Sequence, residues 1–259
     1  MDKEKHVSQD DINTVWRNQW ASADKEIPEK FFTQRLFIEG YPIFKKYISY
    51  ADKEILDAGG GTGRYGIQIA RDFPESQIII SDILEESLNI GKKIAAEFAL
   101  KNIGFIKDNI LRSLFPDNRF DLVFSDVVIQ HLPDYQEAIR ELKRITKPGG
   151  TILIATNNFW NFHTLYKKIL ALTGGTYEYG YEKSFSKREL MKAMGKEGIQ
   201  VIAVDGFYVG YGIFRLKKHH RIFHLLGRII NKLSKVLDQY TGRFFSKTFG
   251  FEIMVIGRK

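Results

Sequence analysis

Short apolar runs alternate with amphipathic segments through most of the chain. Seven runs rich in Ile, Val, Leu and Phe have the length of strands: residues 54–58, 77–81, 103–107, 120–125, 151–155, 200–205 and 251–257. Apolar residues at helical spacing lie between them, at residues 63–72, 85–100, 135–146 and 186–196, with a shorter helix at 109–114. Since short strands that alternate with helices form a parallel sheet covered on both faces, the pattern predicts a doubly wound α/β fold.

Three parts of the chain fall outside this alternation. Residues 11–21 and 29–50 precede the first strand and have helical patterns, with Pro28 placed where a first-turn proline begins a helix. Residues 157–183 are irregular and rich in aromatic residues and glycine, and residues 206–250 form an extra segment between the last two strands. We therefore predict a helical N-terminal cap and a helical insertion before the last strand.

The composition is that of an ordinary globular protein. With 259 residues, of which 44% are hydrophobic, the chain can bury a large core in one domain. No apolar run has the length of a transmembrane helix, and the charged N-terminus is not followed by the apolar segment of a secretory signal. Because there are no cysteines, disulfides and thiolate metal sites are excluded, and we expect a cytoplasmic protein.

The net charge of +8 is concentrated near the C-terminus. Residues 215–259 hold eleven Lys or Arg and two acidic residues, whereas the rest of the chain is nearly neutral. Within this part, residues 217–238 place apolar side chains at helical spacing with basic residues between them, the pattern of a basic amphipathic helix. Three interpretations stay open: a helix packed on the domain with solvated lysines, a contact with an anionic membrane surface and, less favoured, a contact with nucleic acid.

A glycine cluster joins the first strand to the helix that follows. The sequence there runs Asp57-Ala-Gly59-Gly-Gly61-Thr-Gly63-Arg-Tyr-Gly66. Such glycines let the backbone turn sharply and approach a ligand, as in nucleotide sites at the carboxyl end of a strand. Residues 61–66 also fit the G-x-G-x-x-G motif of dinucleotide sites. However, a carboxylate at Asp57 would repel a pyrophosphate and hold an ammonium group, so we predict a cationic ligand.

The glycine cluster resembles the first motif of the class I S-adenosylmethionine-dependent methyltransferases, an acidic residue followed by G-x-G-x-G. The likeness is to their small-molecule, methyltransferase-11/25-like branch, and it continues in the same order and spacing through residues 54–157. It implies S-adenosylmethionine as the cofactor and S-adenosylhomocysteine as the product. The cofactor-binding residues that the resemblance implies are Asp57, Gly59, Gly61, Gly63, Asp82, Ile83, Asp108, Asn109 and Ser125.

Some of these residues also have a purely structural interpretation. The resemblance places Asp82 on the ribose, Ile83 against the adenine ring, and Asp108 with Asn109 near the adenine amino group. A carboxylate at the end of a strand is also a common helix N-cap, and both Asp82 and Asp108 precede predicted helices. The motifs occur together in the right order, which favours the ligand-binding interpretation.

His131 is the candidate catalytic residue. It follows the fourth strand, near the expected position of the methyl group, and imidazole titrates in a range useful for removing a proton from an acceptor. The alternative is a histidine that packs in the loop and orders it. Candidates for the lid and for the wall of the acceptor site are Trp16, Trp20 and Tyr41 and the aromatic residues of 157–182.

The sequence thus predicts one methyltransferase domain over residues 1–259. Its predicted parts are a helical cap (1–50), a cofactor-binding core (51–157), an acceptor-side region (158–205), a basic amphipathic helical insertion (206–250) and a last strand (251–259), antiparallel in a mostly parallel seven-stranded sheet. The predicted reaction is methyl transfer, without a metal, to a hydroxyl of a sugar, a quinone-like ring or a lipid-linked acceptor. The alternatives are an RNA methyltransferase that uses the basic segment, and a non-catalytic cofactor-binding or membrane-docking module. The expected location is the cytoplasm, with a peripheral position at the inner membrane face if the basic segment binds there.

Overall fold

One seven-stranded sheet forms the centre of the protein, in a computed structural model that describes residues 8–23, 31–216 and 221–259. The strands are β1 Glu54–Ala58, β2 Gln77–Asp82, β3 Ile103–Lys107, β4 Phe120–Asp126, β5 Thr146–Asn157, β6 Gln200–Phe207 and β7 Glu252–Arg258. Their order across the sheet is β3-β2-β1-β4-β5-β7-β6, and β7 runs antiparallel to both of its neighbours while the other pairs are parallel. The predicted fold class is confirmed.

Helices cover both faces of this sheet. They are α1 Gln9–Ala23, α2 Arg35–Lys45, α3 Arg64–Asp72, α4 Glu85–Glu97, α5 Tyr135–Ile145, α6 Phe162–Leu172, α7 Lys187–Lys196, α8 Ile213–Leu216, α9 Arg221–Tyr240 and α10 Phe244–Phe249, with a 3₁₀ turn at Ile129–His131. The insertion predicted before the last strand consists of α8, α9 and α10. In the part of the chain that the structure describes, no helix combines the length and the apolar character needed to cross a membrane.

Two apolar cores lie on opposite faces of the sheet because successive side chains of a strand point in opposite directions. Leu56 and Val123 belong to the core that includes residues of α5 and α7. Their neighbours Ile55 and Phe124 belong to the core that includes residues of α2 and α3. The central strands are buried on both sides, which explains their continuous apolar sequences.

The adjacency of β1 and β4 in the sheet determines the position of the functional site. These strands are adjacent in the sheet although β2 and β3 lie between them in the sequence. The chain builds the sheet outward on one side from β1 and on the other side from β4, so the loops after these two strands diverge. Such a point leaves a crevice at the carboxyl ends of the strands, where the glycine cluster lies.

One helix occurs where the sequence predicts irregular structure. Residues 162–172 form α6, and its N-cap is Asn161, whose side chain accepts a hydrogen bond from the backbone N–H of His163 at 2.9 Å. The aromatic and glycine content of residues 157–183 therefore concealed a capped helix.

The short helix predicted at residues 109–114 is wrong. This segment forms a turn that is bridged between Asn109 and Arg112. Asp108 closes the turn, because its carboxylate accepts hydrogen bonds from the Ser113 hydroxyl at 2.7 Å and from the Leu114 backbone N–H at 2.8 Å. Pro28 and the first four residues of the helix predicted at 217–238 lie outside the described residues.

Candidate functional site

A cavity of about 270 Å³ lies at the carboxyl ends of β1, β2 and β4. Trp16 and Trp20 of α1 form part of its wall, so the N-terminal helix covers the crevice as predicted for a lid. The predicted site residues that line this cavity are Asp57, Gly59, Gly61, Asp82, Ile83, Asp108, Asn109 and His131. Gly63 and Ser125 do not line it, and neither does Tyr41, which packs in the core beside Tyr65.

Asp57 is a buried carboxylate at the end of β1. Its Oδ2 atom accepts a hydrogen bond from the Gly66 backbone N–H at 3.2 Å, whereas Oδ1 has no hydrogen-bond partner among the described residues. Burial raises the pKa of Asp57 well above its usual value, and the nearby charge of Asp126 raises this pKa further. A cation placed in the cavity would offset both effects, so the electrostatics favour a positively charged ligand.

Asp82 fixes the glycine loop and also faces the cavity. Its Oδ2 atom accepts a hydrogen bond from the Gly61 backbone N–H at 2.9 Å, and its Oδ1 atom accepts one from the Leu84 N–H at 2.9 Å. The N-cap of α4 is Leu84, so Asp82 does not occupy the N-cap position that its sequence context allowed. Burial raises the pKa of Asp82 above its ordinary value. Asp57, which is buried, and Asp82, which is partly buried, thus place two carboxyl groups on the wall of one cavity.

The glycines of the loop are required by backbone conformation and by close packing. Gly63 is the N-cap of α3 with a φ of 74°, and a Cβ there would lie 2.2 Å from Cδ1 of Ile80. Gly61 has a φ of 57°, and a Cβ there would lie 2.8 Å from the ring of Trp20. Gly63 therefore lets the loop pack against Ile80 of β2, while Gly61 lets α1 pack over the cavity.

Ser125 is completely buried inside β4. Its hydroxyl has no hydrogen-bond partner among the described residues, and its neighbour Asp126 is the residue of this strand that reaches the cavity. The assignments of Gly63 and Ser125 to the cofactor, like the other site residues, stay predictions.

A second cavity of about 210 Å³ adjoins the first. The residues that line both cavities are Trp16, Arg64, Tyr65, Asp126, Val127 and His131. Beyond this shared wall, the second cavity is lined by aromatic side chains such as Tyr177, Tyr179 and Tyr211, and by Glu252 at the start of β7. Two ligands held side by side would therefore meet at the shared wall.

Asp126 and Glu252 form a pair of carboxyl groups on the wall of the second cavity, with Asp126 partly buried and Glu252 buried. Their side chains hydrogen-bond to each other, and one oxygen of each, Oδ1 of Asp126 and Oε2 of Glu252, has no partner among the described residues. Burial raises the pKa of Asp126 to about 7. Burial and the charge of Asp126 together raise the pKa of Glu252 well above its ordinary value. The pair therefore retains a proton at pH values at which ordinary carboxyl groups are ionised.

A charged network holds His131 beside this pair. The Nδ1 atom of His131 lies 2.9 Å from the Tyr181 carbonyl oxygen, so Nδ1 carries the proton. Glu182 lies 3.9 Å from Nε2 of His131, and it accepts hydrogen bonds from Lys167 at 2.6 Å and from the Tyr177 hydroxyl at 3.0 Å. Burial lowers the pKa of His131, so its ring is neutral at pH 7.

Three acidic residues of the cavities, Asp126, Glu252 and Glu182, were not among the site residues predicted from the sequence. Asp126 stands directly after Ser125 at the end of β4, and Glu252 is the one acidic residue in the apolar run of residues 251–257. An acidic residue in a strand that is otherwise apolar could have indicated a functional site, because an acidic side chain is almost never fully buried without a partner.

Residues 50–197, more than half of the chain, match the family model described as a methyltransferase domain. The chain belongs to the class I S-adenosylmethionine-dependent methyltransferases. This confirms the predicted family and enzyme class. Proteins of this family use S-adenosylmethionine as the methyl donor.

Relatives of this methyltransferase include two proteins named demethylmenaquinone methyltransferase. The one from Listeria monocytogenes serotype 4a is 34% identical over 99 residues, which are 38% of this chain and 42% of that protein. The one from Geobacillus kaustophilus is 32% identical over 139 residues, which are 51% of this chain and 59% of that protein. The methyltransferase thus spans about half the length of these curated relatives.

A solved structure shares the fold over nearly the whole methyltransferase. It is a methyltransferase from Thermotoga maritima described as S-adenosylmethionine-dependent and a "possible histamine N-methyltransferase". The TM-score is 0.62 at 17% identity, over 95% of this chain and 99% of that one. At this identity the likeness concerns the fold alone.

Replacing Gly61 in the methyltransferase should open the lid. For Gly61→Ala we expect at least tenfold weaker binding of S-adenosylmethionine and a loss of about 1–2 kcal/mol of unfolding free energy, because φ is positive and the new Cβ would contact Trp20. Calorimetric titration and urea unfolding measure the two effects. The matched control is Gly195→Ala in α7, where a Cβ meets nothing within 4 Å, and it should leave binding unchanged. Equal binding by both variants would contradict the packing of α1 over the loop.

Proposed function

We propose that this methyltransferase holds S-adenosylmethionine in the first cavity and methylates a hydroxyl group of a small ring-bearing acceptor in the second cavity. The observation that carries the proposal is the wall that the two cavities share. Asp126 and His131 lie on that wall, so two ligands can meet there without intervening backbone. Methyl transfer is an in-line displacement, and its rate depends strongly on holding the two reacting atoms close and aligned.

The residues of the first cavity fit the proposed cofactor. The molecule carries a sulfonium and an ammonium group, and the cavity offers the unpartnered Oδ1 of Asp57 together with the nearby charges of Asp82 and Asp126. The ribose hydroxyls would donate to Asp82, and Ile83 would pack against the adenine. When bound, the cofactor supplies an electrophilic methyl group.

The second cavity supports an acceptor with a flat ring. Tyr177, Tyr179 and Tyr211 offer aromatic surfaces, and the carboxyl pair at one end supplies oxygen atoms to which a ring hydroxyl can donate. The names of the relatives support the ring, since demethylmenaquinone carries a quinone ring, but not the hydroxyl, since the methyl group that it lacks belongs on a ring carbon. We therefore favour a quinone-like or phenolic hydroxyl over a sugar.

The carboxyl pair offers a path for the acceptor's proton. The new bond forms between the hydroxyl oxygen and the methyl carbon as the carbon–sulfur bond breaks, and the hydroxyl proton passes to the ionised Asp126. The neutral side chain of Glu252 donates a hydrogen bond to Asp126. Because Glu252 is neutral, the pair carries one negative charge instead of two. Water at the mouth of the cavity then takes up the proton.

Ligand binding and a transfer assay test the proposed function. Purified protein is titrated with S-adenosylmethionine, S-adenosylhomocysteine and NAD, and then incubated with methyl-labelled cofactor and separate phenolic, quinol and sugar acceptors. We expect micromolar binding of the first two ligands, and label transferred to a ring hydroxyl as identified by mass spectrometry. Binding of NAD alone would overturn the proposal, and transfer only to sugars would overturn its acceptor class.

His131 should affect turnover without affecting cofactor binding. For His131→Gln we expect turnover to fall about 10- to 100-fold, because the imidazole on the shared wall is hydrogen-bonded to the Tyr181 carbonyl, orders the loop after β4 and so positions the acceptor beside Asp126. The dissociation constant for S-adenosylmethionine should change less than about threefold. The control is His224→Gln on the exposed surface of α9. Unchanged turnover of His131→Gln with the same acceptor would remove His131 from the chemistry.

A further inference from the structure

The helix α9 directs its polar side chains toward the protein and its apolar side chains toward solvent. Its buried residues are Gly227, Asn231, Ser234 and Asp238, which recur at helical spacing on one face. Its large exposed apolar residues are Ile222, Leu225, Leu226, Ile229, Leu233, Val236, Leu237 and Tyr240. A surface helix of a globular protein ordinarily has the reverse arrangement. The helix therefore does not pack on the domain through its apolar face.

Specific contacts fix this orientation. A Cβ at Gly210 would lie 1.9 Å from the Gly227 carbonyl oxygen, so the helix touches the domain backbone to backbone at this point. Further along the helix, Asn231 donates a hydrogen bond to Glu39 at 3.1 Å. Near the end, the Asp238 carboxylate accepts one from the Phe245 N–H at 2.8 Å. Because the polar face is held at three points, the apolar face has to point outward.

The exposed face is too apolar to be an ordinary solvated surface. Leu233 is 57% exposed and Leu225 is 50% exposed, and their apolar neighbours on the same face are exposed to a similar degree. Single exposed leucines are common, but a continuous apolar face along a helix of 20 residues marks a surface that binds something.

The charged residues beside the apolar face indicate the chemistry of its binding partner. At 100° per residue, the exposed Arg221, Arg228, Lys232 and Lys235 project together along one border of the apolar face. Asp238 is the one acidic residue of α9, and it is buried. An apolar face with a basic border matches the interface of an anionic bilayer, where the basic groups meet the headgroups and the apolar side chains enter the acyl boundary.

Other occupants fit less well. Two copies of α9 packed face to face would bring their basic borders close together, which like-charge repulsion opposes. Nucleic acid would engage the basic border and leave the broad apolar face uncovered.

We propose that α9 is a docking surface for anionic lipid bilayers and lies in the plane of the interface. The proposal does not depend on the identity of the cofactor or of the acceptor. It has a geometric consequence for the proposed function, because α8 contacts both α6 and α9 and carries Arg215 into the wall of the second cavity. A docked protein would therefore hold this cavity close to the membrane.

Vesicle sedimentation tests the docking surface. The full-length protein is mixed with vesicles of phosphatidylcholine alone, or with about 30% phosphatidylglycerol, at low and at high salt. We expect at least tenfold tighter binding to the anionic vesicles, with a loss at high salt. The double variant Ile229→Ser with Leu233→Ser should bind at least tenfold more weakly, and Arg228→Gln with Lys232→Gln should lose a factor of about 5 per charge removed.

The matched control is Ile202→Ser, which replaces an apolar residue of β6 that is 48% exposed. This control should bind vesicles like the unchanged protein, and all variants should keep their affinity for S-adenosylmethionine. Equal binding to neutral and anionic vesicles would overturn the proposal, as would unchanged binding by the double serine variant. Light scattering that shows a dimer dissociated by the same serine pair would assign the face to a second copy instead.

Discussion

Replacing Asp57 by Asn should weaken binding of S-adenosylmethionine by about 100-fold, because a buried carboxylate that faces a cationic ligand contributes several kcal/mol to affinity. The asparagine can still accept the hydrogen bond from Gly66, so the loop should keep its conformation. Calorimetric titration of the wild type and of Asp57→Asn measures this loss. We expect S-adenosylhomocysteine, which lacks the sulfonium charge, to lose less.

The pH dependence of cofactor binding distinguishes the effect of the charge of Asp57 from the effect of its side-chain shape. Burial raises the pKa of Asp57, so the carboxyl group must release a proton when a cation binds beside it. The affinity of the wild type should therefore increase as pH rises above the ordinary carboxyl pKa of 3.8, up to the range in which the ligand's own amino group loses its proton. In Asp57→Asn this rise should be absent. A parallel rise in both proteins would assign the effect to another group.

Asp121 provides the matched control for Asp57. It is also a strand carboxylate, but it lies at the opposite end of the sheet, where it accepts hydrogen bonds from the backbone of Lys53 and Glu54. Asp121→Asn should leave cofactor binding unchanged. If both variants lost affinity equally, the effect would reflect folding of the sheet rather than the cavity.

Replacing Glu252 by Gln should reduce methyl transfer by at least 100-fold with less than a threefold change in cofactor affinity. The expected cause is a weaker hydrogen bond to Asp126: the bond from Glu252 lowers the pKa of Asp126 and so favours its ionised form, and an amide donates less strongly than a carboxyl group. The limb that Asp126, with a pKa of about 7, contributes to the pH profile of turnover should therefore move to higher pH. Steady-state assays between pH 5 and 9 measure both effects.

The same substitution should make the protein more stable at alkaline pH. The folded protein holds Glu252 with a pKa well above the ordinary 4.5, so folding retains a proton and stability falls as pH rises above about 4.5. Glu252→Gln removes part of this penalty. We expect a gain on the order of 1–3 kcal/mol in unfolding free energy at pH 8 and a smaller gain at pH 5.

Urea unfolding at the two pH values separates function from structure at this pair. A variant that is inactive yet more stable indicates a pair kept for catalysis at a cost in stability. The control is Glu54→Gln at the start of β1, a partly exposed carboxylate far from the cavities, and it should change neither property. Lower stability of Glu252→Gln at both pH values would assign the pair a structural role and contradict the proposed proton path.

Local patterns in the sequence predicted the strands, most helices and the glycine loop because each depends on residues close together in the chain. The segment from Asp57 to Gly63 contains both the glycines that form the turn and the carboxylate that distinguishes this loop from a dinucleotide site. The failures are also local in origin. At residues 109–114, the Asp108 side chain closes a turn and so prevents the predicted helix. In α6, a single N-cap side chain organises a segment whose composition resembled a loop.

The sequence by itself determined the family, the doubly wound α/β class and the end of the first strand at which the cofactor motifs lie, since element types and short motifs depend on residues close together in the chain. Only the tertiary structure decided the second cavity and its carboxyl pair, because Asp126 and Glu252 come from strands far apart in the sequence. It also decided the orientation of α9. The periodicity shows that the helix is amphipathic, but contacts of Gly227 and Asn231 with distant residues determine that its polar face is buried and its apolar face is exposed.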